Sequence, residues 1–71
     1  MGRPPRTRFA PWKLSQLRSV RGLSQLAFGL LIEMDQAQVA QYEAGWKVPR
    51  LRTLERLARG LGVPVAALQE D

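Results

Sequence analysis

The chain has 71 residues and a mass of 8.0 kDa, enough for one small domain, and its 45% apolar content can supply a core. Because cysteine and histidine are both absent, disulfides, cysteine zinc sites and imidazole catalysis are excluded, and only carboxylates remain as metal ligands. The net charge of +5 and the sequence pI of about 11.2 favour an anionic partner, with nucleic acid ahead of a membrane surface.

The apolar residues also bear on location. No apolar run reaches the length of about 18 residues that a membrane-spanning helix needs. The longest run, Ala27 to Ile32, is interrupted by Gly29 and followed by Glu33. No signal-peptide apolar region lies near the start, so a cytoplasmic protein is expected.

The first ten residues differ from the rest in composition. Residues 1–10 contain three arginines and two adjacent prolines, with almost no apolar periodicity. This composition predicts a flexible basic arm, followed by a folded domain over residues 11–71. We expect Arg3, Arg6 and Arg8 to add nonspecific attraction to an anion; insertion of these arginines into a DNA minor groove is the alternative.

The segment after the arm has the pattern of a helix. Pro11 stands where the first turn of a helix accepts proline, and Gly22 supplies a left-handed C-terminal cap. The apolar residues that recur at helical spacing between them are Trp12, Leu14, Leu17 and Val20. A first helix is therefore predicted from Pro11 to Arg21.

Two short helices are predicted next. Ser24 is a favourable N-cap for a second helix of roughly eight residues, and Asp35 is an N-cap for a third. The linker between them is only three residues, Glu33 to Asp35. The third helix is predicted from Gln36 to about Ala44, closed by Gly45. The side chains expected to face inward from the second helix are Leu26, Ala27, Phe28, Leu31 and Ile32.

A fourth helix is predicted after the loop that contains Pro49, because apolar residues again recur at steps of three and four. These residues are Leu51, Leu54, Leu57, Ala58 and Leu61. Gly60 and Gly62 end this helix, and Pro64 begins a short fifth helix with Val65 and Leu68 facing inward. No segment alternates with the period that predicts a strand, so the predicted fold class is all-α, a compact domain of five helices.

The second and third helices carry a functional prediction. Two short helices joined by a three-residue turn predict a helix-turn-helix, whose second helix protrudes and can enter a DNA major groove. The positions that must pack where the helices cross are all apolar or aromatic: Phe28, Ile32, Met34, Val39 and Tyr42. Gly29 is predicted to lie at the crossing, where a small residue lets the two backbones approach.

Several motifs are spread over the predicted helices. They are Leu17-Arg18, Arg21-Gly22-Leu23-Ser24-Gln25, Gln41-Tyr42-Glu43-Ala44-Gly45, Pro49 and Leu61-Gly62-Val63. Over about Trp12 to Leu68 the chain thereby resembles the lambda-repressor-like (Cro/C1-type, Xre-type) helix-turn-helix family of bacterial and phage regulators. The resemblance implies a five-helix DNA-binding domain, a homodimer on a palindromic operator, and a mostly buried ion pair of Arg18 with Glu43 that holds the helices together.

The sequence departs from the family pattern at two positions of the motif. Glu33 occupies a turn position that is commonly glycine in the family, because the backbone there is left-handed. Glutamate in that conformation costs on the order of 1 kcal/mol. Gly29 occupies a position that is more often alanine.

The third helix has two different faces. Val39 and Tyr42 define an inward face. The opposite face bears alanine and glutamine, which suits close approach to base edges, because glutamine can pair bidentately with adenine and an alanine methyl can contact a thymine methyl. The residues predicted to read bases are Gln36 and Gln41, with Ala37 and Gln38 in support. A neutral exposed helix without a ligand is the alternative.

Positive charge flanks this helix. Residues 24–45 contain three acidic residues and no basic one, whereas residues 46–60 contain five basic residues against Glu55. This division suits DNA recognition, since phosphate contacts position a protein and base contacts specify. The predicted phosphate contacts are Lys47, Arg50 and Arg52 on one side of the helix, and Ser24 and Gln25, at the start of the second helix, on the other. Arg56 and Arg59 are expected on a solvated outer face.

The sequence therefore predicts a sequence-specific regulator of transcription that binds double-stranded DNA, in particular a repressor, with no cofactor and no metal. An enzyme is not expected, since histidine, cysteine and a glycine-rich phosphate loop are absent. The alternative is a protein-interaction module, such as an antitoxin or a domain that binds another regulator. A membrane-surface peptide is disfavoured by the repeated caps and glycines. The surface expected to form a dimer comprises Val63, Val65, Ala66 and Leu68.

Overall fold

The structure, a computed structural model, describes residues 8–70. Its elements in chain order are β1 (Arg8–Phe9), α1 (Pro11–Val20), α2 (Gln25–Ile32), α3 (Gln36–Glu43), α4 (Leu51–Leu61), a 3₁₀ helix (Val65–Leu68) and β2 (Gln69–Glu70). Most of the described chain is therefore helical, as predicted. None of the helices within this range is long and apolar enough to cross a membrane.

Helices α2 and α3 begin directly after Ser24 and Asp35, the residues predicted as their N-caps. The Ser24 hydroxyl accepts a hydrogen bond from the Ala27 backbone N–H at 3.0 Å, which satisfies one of the free donors of the first turn of α2. Asp35 precedes α3, but its side chain makes no capping bond. Gly62, in the left-handed conformation with φ 71°, ends α4, whereas Gly60 lies within that helix. Local capping chemistry thus sets these boundaries.

One apolar core joins the helices. Its fully buried members come from different elements: Leu14 from α1, Phe28 from α2, Val39 from α3, Leu57 from α4 and Leu68 from the 3₁₀ helix. Four of the five positions predicted to pack at the helix crossing are buried, and Ile32 is half-buried against them. This core holds α2 and α3 in a fixed relative orientation.

The predicted fifth helix is wrong in type. Val65–Leu68 forms a single 3₁₀ turn, after which Gln69–Glu70 extends and pairs antiparallel with Arg8–Phe9. The register pairs Arg8 with Glu70, and the Ala10 N–H also donates to the Leu68 carbonyl oxygen at 2.8 Å. A segment of four residues is too short to close a stable α-helix, so tertiary pairing decides its form.

The strand pair also changes the domain boundary. The arm was predicted over residues 1–10, but Arg8 and Phe9 form β1 and Ala10 is buried, so these three residues belong to the fold. Arg3, Arg6 and the rest of the first seven residues lie outside the described residues. The Phe9 ring meets the Tyr42 ring edge-on, with their centroids 6.5 Å apart. The start of the described chain therefore covers part of the inner face of α3.

Three leucines predicted to face inward are exposed. Leu26 and Leu31 on α2 and Leu51 at the start of α4 each expose more than half of their surface. The reason on α2 is that apolar residues surround the helix, whereas the rest of the domain covers only one side of it. Of the predicted dimer surface, Leu68 is fully buried and cannot contribute, whereas Val63 and Val65 are half-buried against the core and Ala66 is exposed.

The glycine predicted at the helix crossing has a clear structural reason. A Cβ atom added to Gly29 would collide with the backbone carbonyl oxygen of Met34. The Met34 N–H in turn donates to the Gly29 carbonyl oxygen at 2.7 Å. The turn after α2 therefore folds back directly on Gly29, and the close approach expected at this position is confirmed.

Candidate nucleic-acid interface

The candidate interface is built on α2, the turn over residues 33–35, and α3. Glu33 adopts the left-handed conformation with φ 59° and ψ 49°, the geometry that favours glycine. The Arg56 guanidinium donates to the carbonyl oxygens of Ile32 at 2.6 Å and Glu33 at 3.0 Å. These bonds satisfy acceptors that the end of α2 leaves free, so α4 stabilises the turn that orients α3.

The structure separates α3 into the two predicted faces. Val39 and Tyr42 are buried, whereas Gln36 and Ala37 are exposed and Gln38 and Gln41 are half-exposed. None of the side-chain hydrogen bonds among residues 8–70 involves the three glutamines on α3. Their amide groups therefore remain available to a ligand.

An ion pair ties α1 to the end of α3. The Arg18 Nε donates to Glu43 Oε2 at 2.6 Å and Arg18 Nη2 donates to Glu43 Oε1 at 3.1 Å, a bidentate arrangement. The two side chains are only 14% and 7% exposed. The hydrogen bond with Glu43 is the main cause that raises the pKa of Arg18. The structure thus contains the pair that the family resemblance implies.

The same cluster reaches the start of α2. Arg18 Nη1 donates to the Leu23 carbonyl oxygen at 2.6 Å, and Gln25 Nε2 donates to Glu43 Oε1 at 3.0 Å. Three helices therefore converge on one carboxylate. The sequence predicts Gln25 as a phosphate contact, but it does not reveal the bond from Gln25 to Glu43. This bond uses only the side-chain N–H of Gln25. The Gln25 amide oxygen and backbone N–H, at the first turn of α2, therefore remain available to a ligand.

The remaining predicted phosphate contacts differ in their surroundings. Ser24 uses its oxygen as the cap of α2, so its hydroxyl hydrogen is what it can offer a ligand. Lys47, Arg50 and Arg52 are exposed, and within residues 8–70 their side chains make no hydrogen bond or ion pair. They are three uncompensated positive charges that follow α3 directly along the chain.

Two further basic side chains have roles that the sequence did not reveal. Arg56 and Arg59 are exposed, as expected for a solvated face, and Arg56 also caps the end of α2. Lys13 Nζ donates to the Gln69 carbonyl oxygen at 2.6 Å, which fastens β2 to α1. A signal for Arg56 exists in retrospect, because α2 has no basic residue in its own last turn to bind its free carbonyls. No group of residues suited to a metal ion occurs in the described part of the chain.

Comparisons with known proteins agree with this geometry. Residues 12–70 match the helix-turn-helix domain family. Over 59 residues the chain is 37% identical to the cryptic phage CTXphi transcriptional repressor RstR of Vibrio cholerae, covering 83% of this chain and 53% of RstR. The chain therefore spans about half the length of this curated relative.

Two solved structures share the fold. The restriction-modification controller protein C.AhdI from Aeromonas hydrophila is 29% identical with a TM-score of 0.78, and the match covers 82% of this chain and 88% of that one. A HTH_3 family transcriptional regulator from Vibrio cholerae is 34% identical with a TM-score of 0.77, covering 82% of this chain and 33% of that one.

Proposed function

Because the chain belongs to the Cro/C1-type helix-turn-helix family, we propose that it is a sequence-specific regulator of transcription that binds double-stranded DNA through α3 in the major groove. The observation that carries this proposal is the uncharged outer face of α3, whose glutamine amides have no partner among residues 8–70. The inner face of the same helix is locked into the core. Such a helix can be presented to base edges without rearrangement of the domain.

Base recognition is assigned to four residues of α3. We propose that Gln36 and Gln41 pair with base edges, and that Ala37 and Gln38 contact neighbouring positions. Gln36 stands in the first turn of α3 and is exposed, while Gln41 lies in its last turn and is half-exposed. A bidentate pair of this kind discriminates against the wrong base by about 1–3 kcal/mol.

Backbone contacts are assigned to both flanks of α3. Lys47, Arg50 and Arg52 supply positive charge on one flank, and the first turn of α2, with Ser24 and Gln25, supplies N–H donors on the other. If one protomer neutralises about four to six phosphates, log K falls against log salt with a slope of roughly −4 to −5. Lys47→Ala should reduce the magnitude of that slope by about one.

The finer proposal is a repressor that binds a palindromic operator as a homodimer. The name of the relative RstR, a transcriptional repressor, supports the repressor role, whereas the homodimer and the palindromic operator are what the family resemblance implies. A dimer would place two copies of α3 about 34 Å apart, one turn of B-form DNA. The buried Leu68 takes no part in such an interface.

The deciding experiment is selection of bound sequences from a random duplex library. The wild type should enrich a defined motif, and Gln36→Ala and Gln41→Ala should each relax the preference at particular base positions. Gln16→Ala is the matched control, because Gln16 is an exposed glutamine on α1 that should not contact DNA. An unchanged motif with both α3 variants would refute base reading, and the absence of any duplex binding would refute the proposed function.

A protein-interaction module is the second candidate, and one observation favours it. Leu26, Leu30 and Leu31 form an exposed apolar surface on α2, next to an open groove lined by Ile32, Arg56 and other residues of α2 and α4. A protein partner could bury this surface. Substitution of Leu30 by serine should leave duplex binding unchanged under the DNA-binding proposal. Loss of a binding partner without loss of DNA binding would show that both functions coexist.

A further inference from the structure

The segment after α3 carries three exposed apolar side chains that the fold does not use. Trp46 is 82% exposed, Val48 is 77% exposed and Leu51 is 65% exposed. Single exposed apolar residues are common, but these three alternate with the cations Lys47 and Arg50 within six residues, 46–51. No acidic residue lies within residues 44–54. We call residues 46–52 the basic apolar segment.

The backbone of this segment is fixed even though its side chains are exposed. The Trp46 N–H donates to the Gln41 carbonyl oxygen at 3.0 Å, and the Gly45 N–H donates to the Tyr42 carbonyl oxygen at 3.1 Å. Farther along, Pro49 is buried. The last turn of α3 therefore holds the Trp46 backbone directly beyond the helix that is proposed to enter the major groove.

Trp46 differs from the other tryptophan of the chain. Lys13 Nζ lies 5.6 Å from the centre of the Trp12 ring, so Trp12 has a partner within the domain. Among residues 8–70 no aromatic or cationic group stacks on Trp46. The most exposed large apolar side chain of the described chain thus lies at the edge of the proposed interface, without an aromatic or cationic partner among residues 8–70.

We infer that Trp46 is a DNA-contacting residue that packs its indole ring on the deoxyribose of a backbone strand bordering the major groove, with Lys47 on the adjacent phosphate. This inference rests on the proposed function and deepens it. Deoxyribose presents an apolar C–H face next to a phosphate charge, and the segment offers an apolar ring next to a cation. The indole N–H adds a donor that can reach a phosphate oxygen.

The contact has a thermodynamic signature that separates it from the charged contacts. Sugar and phosphate are the same at every base pair, so Trp46→Ala should weaken binding to all duplexes by a common factor of about ten. The variant removes no charge, so the slope of log K against log salt should not change. Lys47→Ala should instead reduce that slope by about one.

The experiment measures binding of the full chain to a mixed-sequence B-form duplex over a series of salt concentrations, by fluorescence anisotropy of labelled DNA. The variants are Trp46→Ala, Trp46→Phe and Lys47→Ala, with Trp12→Ala as the matched control. Trp12→Phe leaves Trp46 as the only indole, and its emission should be quenched when duplex is added. Since Trp46 is 82% exposed in the monomer, the free energy of unfolding of Trp46→Ala should lie within about 0.5 kcal/mol of the wild-type value.

The outcomes are distinguishable. Tenfold weaker binding by Trp46→Ala at an unchanged salt slope, with intermediate affinity for Trp46→Phe, supports the contact. If Trp46→Ala binds duplex as tightly as the wild type while Lys47→Ala binds more weakly, the Trp46 contact is refuted and the proposed function stands. If the wild type binds no duplex, both fail. Loss of self-association, or of binding to anionic lipid vesicles, by Trp46→Ala with unchanged duplex affinity would assign the segment to that other partner and overturn the inference.

Discussion

Helices α2 and α4 are both rich in apolar residues, but they use them differently. In α4 the apolar residues are separated by charged ones, so they form one stripe, and Leu54, Leu57, Ala58 and Leu61 are all buried. In α2 apolar residues surround the helix, and only Phe28 and Gly29 are buried. The difference indicates that α4 supplies stability, whereas α2 combines a narrow core contact with an exposed surface.

The largest effect is expected from truncation of the α4 stripe. Leu57 is fully buried, so Leu57→Ala should reduce the free energy of unfolding by about 3–5 kcal/mol. That loss approaches the whole stability of a domain of this size, for which about 0.05–0.15 kcal/mol per residue is typical. Urea unfolding followed by circular dichroism measures it. Leu30→Ala on α2 is the matched control, because Leu30 is exposed, and it should change stability by no more than about 0.5 kcal/mol. Equal losses for the two variants would remove the distinction between the helices.

A smaller effect is expected at the ion pair that joins α1 to α3. Glu43→Ala should destabilise the domain by about 2–3 kcal/mol, below the roughly 3–5 kcal/mol of a fully buried pair, because Arg18 retains its bond to the Leu23 carbonyl oxygen. Thermal melting checks this value. Glu43→Gln keeps an acceptor for Arg18 and should lose less. A melting temperature that is unchanged in Glu43→Ala would show that the pair contributes nothing.

The smallest effect is expected in the turn that ends α2. Glu33 has φ 59°, so Glu33→Gly should stabilise the domain, by up to about 1 kcal/mol. The Arg56 bonds to the carbonyls of residues 32 and 33 do not involve the glutamate side chain, so they should persist. Glu33→Ala removes the same carboxylate but retains a Cβ, and it should bring no comparable gain. A destabilised Glu33→Gly variant would indicate that the glutamate side chain has a role of its own.

Local chemistry made much of the fold predictable. The caps at Ser24 and Gly62, the three-residue turn and the periodic leucines of α4 each act over a few residues, so a single sequence reveals them. The burial of α2 was not predictable in the same way, because helical periodicity does not say which side a neighbour will cover. The β1–β2 pair escaped prediction for a related reason: strands of two residues show no alternation, and their pairing joins residues 60 or more positions apart, such as Phe9 with Gln69.

The candidate site likewise combines features that the sequence reveals with features that depend on tertiary packing. The outer face of α3 follows from the spacing of Val39 and Tyr42, and the structure places Gln36 and Ala37 on the accessible side. The Arg18–Glu43 pair follows from the family resemblance. The bond from Gln25 to Glu43 and the capping of α2 by Arg56 join residues that are 18 and 24 positions apart, respectively, through tertiary packing, and no local pattern identifies which residue will be the partner.

The pairing of Arg8–Phe9 with Gln69–Glu70 has a consequence for the architecture of any larger polypeptide that contains this domain. The first and last described residues of the fold lie side by side. A domain with this geometry can be inserted into a surface loop of a host protein without moving apart the two host residues that it joins. Tension applied to both ends would peel this ribbon apart first, so the Phe9 ring would leave Tyr42 before the leucine core is disturbed.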